Sequence, residues 1–382
     1  MEHYDVVIIG GSIAGSVAAR FIAEKGLKTL LVESAKTPRE KPCSAIQFKY
    51  FEKLVGSKIP KEKLCTNKLS RLRMEWPNGR AFSIPFKMLN FTREVFDSWL
   101  NEEAIKAGAL FRDETHCMNF NIISKGYEVF LHPKHSPIEK LRTKYLIGAD
   151  GLLSTIRKKI RPQDFYRKGE KSRGVTLNYY IRTEREGKLD PNTLYQFWNL
   201  DFNNLMFAWV YKKNELWVVG TGYTESVKKR CDLFLNYVKE KFNFEGKIVK
   251  REGFAHKLRL DEPNHVYLGD NNLLLIGDAA GLIDMYRGLG MDAAALSGRR
   301  VAKAIIKAEK TGDLAINYYK KSMKNLISKI DKNMERQLLT FQTNDELLAS
   351  LKKSSFKMGV LTLLGSLLNK LSNGNKVILL PL

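Results

Sequence analysis

The sequence offers little with which to build a covalent framework. Its four cysteines, Cys43, Cys65, Cys117 and Cys231, are scattered over 382 residues with no C-x-x-C pair. That argues against a disulfide scaffold or a structural zinc site, calls for no metal, and fits a reducing cytoplasm. Long apolar runs are missing too: no stretch reaches the ~18 uninterrupted apolar residues that span a bilayer. No signal-peptide core is visible, because the first apolar run covers only residues 6–9 and follows Asp5. Prolines number 11, and the chain is 44% hydrophobic and 27% charged, which excludes a disordered polymer. No internal repeat or low-complexity linker appears. Acid is the scarce charge, with 41 Asp and Glu against 64 Lys and Arg, a formal net charge of +23. No nucleic-acid motif accompanies that excess, so nucleic acid is not an expected partner. A general lysine bias and an anionic membrane surface remain as explanations.

What is present is concentrated at the start. Val6-Val7-Ile8-Ile9 is a short β-branched run of the kind that forms a buried parallel strand. Gly10-Gly11-Ser12-Ile13-Ala14-Gly15 follows at once, then a helical pattern (Val17, Ala18, Phe21, Ile22) closed by Lys25-Gly26. A second strand, Thr29 to Val32, ends on Glu33. This is a βαβ unit whose glycine loop lets a pyrophosphate sit on the helix N-terminus, with Glu33 placed to accept hydrogen bonds from ribose hydroxyls. The middle glycine of the fingerprint is Ser12, which still permits close approach and has a hydroxyl to offer a phosphate.

Further along, Ile46 to Val55 has a mixed, helical pattern, and residues 69–90 alternate around Trp76-Pro77-Asn78-Gly79, which predicts a hairpin. Thr92 is placed to cap a helix carrying Val95, Phe96, Trp99, Leu100 and Ala104. Short strands are predicted at Ala109 to Phe111, Tyr127 to Leu131 and Lys144 to Ala149, the last running into Asp150-Gly151 with Ser154 and Arg157 beyond. Alternating strands from Val175 to Tyr223 predict an antiparallel sheet, and Cys231 to Phe242 an amphipathic helix. Leu273 to Gly281 is another buried strand ending in a turn, before a long helix from about Gly290 through Lys310. The last seventy residues have a helical, lysine-rich pattern, with an apolar stretch at Met358 to Leu371. Antiparallel strands thus interrupt the βαβ-type segments, which implies a second sheet inserted into a nucleotide domain.

Three separated motifs, Gly10 to Gly15 with Glu33, Gly148-Ala149-Asp150-Gly151 with Ser154 and Arg157, and Leu275 to Gly281 followed by Gly288-Leu289-Gly290-Met291, resemble in order and spacing the FAD-dependent oxidoreductases of the aromatic-hydroxylase-like fold. Within that superfamily the chain is most similar to the geranylgeranyl reductase family, over residues 1 to 310. The resemblance implies an α/β fold: a Rossmann-like FAD-binding domain (1–68, 91–158 and 264–311), an inserted antiparallel-sheet substrate domain (69–90 and 159–263) and a helical C-terminal region (312–382). It implies FAD held by Gly10, Ser12, Ile13, Ala14, Gly15, Glu33, Arg93, Cys117, Asp150, Asp278, Gly290 and Met291. Arg93 matches the arginine of the family's R-x-x-F-D pattern, with Phe96 and Asp97 in place. Asp278 is expected at the ribityl and pyrophosphate region, and the helix N-terminus at Gly290 and Met291 against the flavin, where its dipole stabilises negative charge.

Lys41-Pro42-Cys43 resembles the family's K-P-C-G segment, with Ser44 in place of glycine, and puts Cys43 near the flavin as proton donor or as a packed thiol. Phe207 to Lys213 resembles its Y-x-W-x-F-P-K strand without the proline, so that Trp209 and Tyr211 line a lipid cavity or belong to the core. Where the family has a proline and Gly-Glu-Gly after Asp278, this chain has Met285 and Gly288-Leu289-Gly290. The activity implied is reduction of C=C bonds in isoprenoid lipid chains. A flavin monooxygenase or halogenase is the alternative, and a flavin-binding scaffold or electron-transfer partner the non-enzymatic one. The substrate is then an isoprenoid lipid or prenyl compound and the electron donor NAD(P)H or a ferredoxin. The expected location is cytoplasmic, with peripheral attachment to the inner face of the cell membrane suggested by the lysine-flanked tail from Phe356 to Leu382.

Overall fold

A computed structural model describes residues 1–165, 173–257, 266–284, 290–334 and 340–353. The apolar stretch at Met358 to Leu371, the tail to Leu382, and Met285, Gly288 and Leu289 lie outside the described residues. The chain runs β1 (Glu2–Ile9), α1 (Ile13–Ala23), β2 (Thr29–Val32), β3 (Ile46–Phe48), α2 (Phe51–Val55), α3 (Lys61–Leu64), β4 (Leu69–Glu75), β5 (Ala81–Asn90) and α4 (Arg93–Lys106). It continues through β6 (Leu110–Arg112), β7 (Thr115–Ile123), β8 (Gly126–Pro133), β9 (Glu139–Gly148), α5 (Thr155–Ile160), β10 (Arg173–Arg185), β11 (Thr193–Phe197), β12 (Ala208–Lys213) and β13 (Leu216–Tyr223). Then come α6 (Val227–Phe242), β14 (Glu245–Lys257), β15 (Gly269–Asp270), β16 (Leu273–Leu275), α7 (Met291–Thr311) and α8 (Ala315–Met334).

The α/β expectation is met by two sheets. The first has the order β15-β16-β9-β1-β2-β6, with β7 and β8 attached to β9. Its central strands are parallel and buried on both faces, as their unbroken apolar runs require. Val32, Ile9, Gly148 and Leu275 stand in one row across it. The three motifs, although up to 270 residues apart in sequence, therefore leave the same carboxyl edge side by side, where open α/β sheets bind ligands. Helices α1 and α7 cross over this sheet in tight contact: a Cβ on Gly298 would lie 2.5 Å from the Ala14 carbonyl oxygen.

The second sheet has the order β14-β10-β13-β12-β11-β4-β5-β3 and is antiparallel except where β11 joins β4 in parallel. One face packs Tyr179, Ile181, Tyr195, Phe197, Trp217 and Val219 on Phe234, Leu235, Val238 and Phe242 of α6. Side chains alternate along strands, so the neighbouring residues (Leu72, Met74, Leu194, Trp209, Tyr211 and Val218) form the opposite face.

Four local expectations are corrected. Ile46 to Val55 is not one helix but β3 followed by α2, because Gln47 and Phe48 pair with Leu89 and Met88. Thr92 occupies the N-cap position of α4, but its side chain makes no capping bond. Helix α1 ends at Ala23 with Glu24 as its cap, and Gly26 lies beyond it with a φ of 82°. The nine-residue β7 was not anticipated, since only two of its residues are buried and its alternation is weak.

Candidate active site

The first motif forms a turn that only glycine fits at its opening. Gly10 has a φ of 115°, and a Cβ there would overlap the Ala149 carbonyl oxygen. Beside it, Glu33 holds the loop down: its carboxylate accepts from Gly11 N at 3.1 Å, Ser34 Oγ at 3.1 Å, Ala35 N at 3.0 Å and Arg39 Nη2 at 3.1 Å. The hydroxyl of Ser12 turns sideways rather than capping its helix. It accepts from Arg93 Nη2 at 2.6 Å and donates to Asp97 Oδ2 at 3.0 Å. Arg93 grips Asp97 through two bonds of 2.8 Å. Burial of this pair would by itself discharge both groups, but their mutual attraction outweighs it, raising the Arg93 pKa and lowering that of Asp97. With Ser12 engaged, the N-terminus of α1 has no side-chain cap, and Ile13 and Ala14 line an adjoining cavity. Uncapped first-turn amides are donors waiting for an acceptor.

A second uncapped N-terminus faces the same space. Helix α7 starts at Met291 with Gly290 as its cap residue, and Asp278 Oδ1 lies 3.6 Å from where a Cβ on Gly290 would stand. Lys41 lines this space as well, its pKa lowered by burial and by the charge of Arg93 against the pull of Asp278 and Asp97. Cys43 closes the gap: its Sγ is 3.7 Å from Met291 Sδ and accepts from Ala45 N at 3.4 Å. Ala45 has a φ of 47°, a left-handed conformation that costs a non-glycine residue roughly 1 kcal/mol and marks a tightly determined loop.

From Cys43 the cavity, about 300 Å³, extends under the free face of the second sheet. Two cross-strand rows cross this face, of which Gln196, Trp209, Asn178, Glu252 and Tyr211 line the cavity. Gln196, Trp209, Gly220, Asn178 and Glu252 make the first, and Tyr211, Val218, Tyr180 and Lys250 the second. Trp209 lies across the bare backbone of Gly220 and donates from Nε1 to Asn178 Oδ1 at 2.8 Å. Tyr180 donates to Glu252 at 2.7 Å, whereas the buried Tyr211 hydroxyl has no hydrogen-bond partner among the described residues. Burial pushes the Tyr211 hydroxyl far above the ordinary tyrosine range, so it stays neutral.

Of the residues singled out in the sequence, Ser12, Ile13, Ala14, Cys43, Arg93, Trp209, Tyr211, Asp278, Gly290 and Met291 line this one cavity. Gly10, Gly15, Glu33, Cys117 and Asp150 stand behind it or apart from it. Asp150 accepts from Thr155 N at 2.7 Å and Ile156 N at 3.3 Å at the start of α5, and its other oxygen is buried without a partner among the described residues. Cys117 lies within β7, its thiol pushed up to about 12 by burial. Sequence reasoning passed over Arg39, Asn178 and Glu252, and met Lys213 only as the end of the Phe207 to Lys213 stretch. Of those passed over, Glu252 alone left a trace, alternating with Phe254 along β14, and both line the cavity. Among the described residues no group of His, Cys, Asp and Glu could hold a metal ion, and no helix is long and apolar enough to cross a membrane.

Residues 83–330 match the family described as FAD binding domain. A geranylgeranyl diphosphate reductase of Rhodobacter capsulatus is 28% identical over 326 residues, covering 82% of this chain and 78% of the relative. A digeranylgeranylglycerophospholipid reductase of Methanococcus vannielii is 25% identical over 315 residues, covering 80% and 78% respectively. The crystal structure of a geranylgeranyl bacteriochlorophyll reductase-like protein from Thermoplasma acidophilum matches with a TM-score of 0.76 at 21% identity, covering 91% of this chain and 90% of that one.

Proposed function

The chain belongs to the FAD binding domain family, and from that premise we propose that it is a reductase of C=C bonds in isoprenoid lipid chains. FAD is the cofactor, and the chain is a member of an FAD-dependent oxidoreductase family. The residues present suit it. Two uncapped helix N-termini open on one cavity, the Gly10 turn has no room for a side chain, and the buried Glu33 carboxylate stands at the end of β2. In this reading α1 and Arg93 hold the diphosphate, Glu33 the adenosine ribose, and Asp278 with the α7 N-terminus the ring end. When bound and reduced, the flavin supplies a hydride.

The observation that carries the substrate assignment is the continuity of the cavity. It passes from Cys43 and Met291 to a face built of Leu72, Met74, Leu194, Trp209 and Phe207, with no break between cofactor side and apolar side. A prenyl chain of matching shape loses its water there, at roughly 25 cal/mol per Å² of apolar surface buried. The chain's own residues then have three tasks: to exclude water, to hold one double bond in register with the cofactor, and to deliver a proton to the second carbon. Cys43 stands at the junction of the two halves and serves as the proton donor. Residues 69–90 and 159–263 serve as the substrate side. The net charge of +23 supports peripheral attachment to an anionic membrane, where such chains reside.

The test is anaerobic incubation of dithionite-reduced, FAD-loaded protein with geranylgeranyl-chain lipids, followed by mass spectrometry. The expected product gains a pair of hydrogens per double bond, and parallel reactions with NAD(P)H and with reduced ferredoxin compare the two donor classes. Substrate-stimulated oxygen uptake with a hydroxylated or halogenated product would replace this reading with a monooxygenase or halogenase. Binding to anionic liposomes at low salt tests the attachment.

A further inference from the structure

Lys213, the last residue of β12, is a buried ammonium that none of these tasks uses. It is 6% exposed, and among the described residues no carboxylate forms an ion pair with it. Instead its Nζ donates to two backbone carbonyls, that of Ser44 and, at 3.1 Å, that of Phe91. Those carbonyls belong to the two segments that build the cofactor side: Ser44 follows Cys43, and Phe91 lies two residues before Arg93. Asn90 Nδ2 reinforces the same junction by donating to Lys212 O at 3.0 Å. The end of β12 therefore fastens the second sheet to the cysteine loop. The charged and titratable groups that bear on Lys213 are Cys43, Glu252 and Arg93, and the Tyr211 ring lies with its centroid 5.6 Å from the ammonium.

We propose that Lys213 is a positioning residue for Cys43: it pins the thiol at the junction of the two halves of the cavity and, with Arg93, provides the positive surroundings that stabilise the thiolate left when Cys43 gives up its proton. Resting on the reductase reading, the step balances. The π bond is replaced by two C–H bonds, the hydride coming from the reduced cofactor, which is oxidised by two electrons, and the proton from the Cys43 S–H bond. The thiolate takes its next proton from solvent. A buried lysine without a counter-ion is costly to keep charged, and here burial and the charge of Arg93 bring its pKa down to about 8. Its influence on the thiol is therefore expected to fade as pH rises past that value.

The experiment reads Cys43 directly, in holoprotein without substrate, as the rate of iodoacetamide alkylation at the Cys43 peptide against pH. Lys213→Gln keeps donors for both carbonyls but removes the charge; Lys213→Met removes both. Both are expected to slow alkylation at neutral pH roughly tenfold, the size of effect a neighbouring cation has on an ionising group. Both should also move the alkylation profile to higher pH, while Lys213→Gln retains wild-type FAD content and a melting temperature no lower than that of the wild type. In turnover, the same variants should lower kcat with KM little changed. Alkylation of Lys213→Gln at the wild-type rate with an unchanged pH profile overturns the proposal. Failure of the wild-type protein to reduce any prenyl chain would instead remove the reductase reading, and the alkylation result would still decide whether Lys213 governs the thiol.

Discussion

Gly220→Ala is the substitution whose cost follows most directly from the architecture of the cavity roof. A Cβ on Gly220 would lie 2.5 Å from Trp209 Cε2 and closer still to Trp209 Nε1 and Asn178 Oδ1. Those last two atoms make a buried 2.8 Å hydrogen bond over the glycine. The methyl group therefore cannot be accommodated by a small shift; the indole must leave Asn178. Losing the bond costs about 0.5–1.5 kcal/mol, and forcing extra volume into a packed site typically about 1–3 kcal/mol. The sum, roughly 1.5–4.5 kcal/mol, should appear as a lower urea midpoint with unchanged slope. A double-mutant cycle isolates the cause: in a Trp209→Ala background the indole is gone and only the Asn178 amide has to move, so Gly220→Ala should cost clearly less. Because Trp209 and Asn178 both line the cavity, the single variant should also lose affinity for prenyl lipids while retaining FAD. A cost below 0.5 kcal/mol for the single variant, or an equal cost in both backgrounds, would refute this account of the roof.

Other outcomes follow from the same geometry. Tyr211→Phe should leave stability unchanged or raise it by up to about 1 kcal/mol, since the hydroxyl it removes is buried without a partner among the described residues; a clear fall in melting temperature would contradict this. Lys213 has its folded pKa depressed to about 8 from 10.5, so between those values the unfolded chain holds more protons and this group adds stability as pH rises. The gain is about 3 kcal/mol across the window, and it should vanish from the pH-dependent denaturation of Lys213→Met. Glu33→Ala should weaken FAD binding roughly 10- to 100-fold, the worth of a charge-assisted hydrogen bond, and FMN binding less, because FMN lacks the adenosine that Glu33 is placed to meet and feels only the loosened Gly11 loop.

The parts of the fold that were legible in the sequence are those whose signals are local. Residues 6–9, 145–148 and 273–275 are short apolar runs ending in glycine-containing turns, and each became a buried parallel strand delivering its motif to one edge. The βαβ unit, the 69–90 hairpin and the helix at Arg93 were recognisable for the same reason. What was hidden depends on register between distant strands. Trp209, Gly220, Asn178 and Glu252 come together only because β12, β13, β10 and β14 pair with particular offsets, and a one-residue slip would turn each to the other face. Ser12 was visible as an imperfect fingerprint, but nothing nearby indicated that Arg93 and Asp97, more than 80 residues on, would claim its hydroxyl. Arg39 lay in an unpatterned polar loop, and Lys213 was visible only as the end of the Phe207 to Lys213 stretch, with nothing to show that its ammonium would reach the Ser44 and Phe91 carbonyls.

The central claim is that FAD lies along the carboxyl edge of the first sheet, and fluorescence titration of the cofactor-stripped protein with FAD tests it most directly. The account requires saturable quenching at one FAD per chain, with FMN a weak competitor and Gly10→Val, whose side chain would fill the turn against Ala149, unable to bind. An absence of quenching by wild-type protein, or equal binding by Gly10→Val, would contradict it.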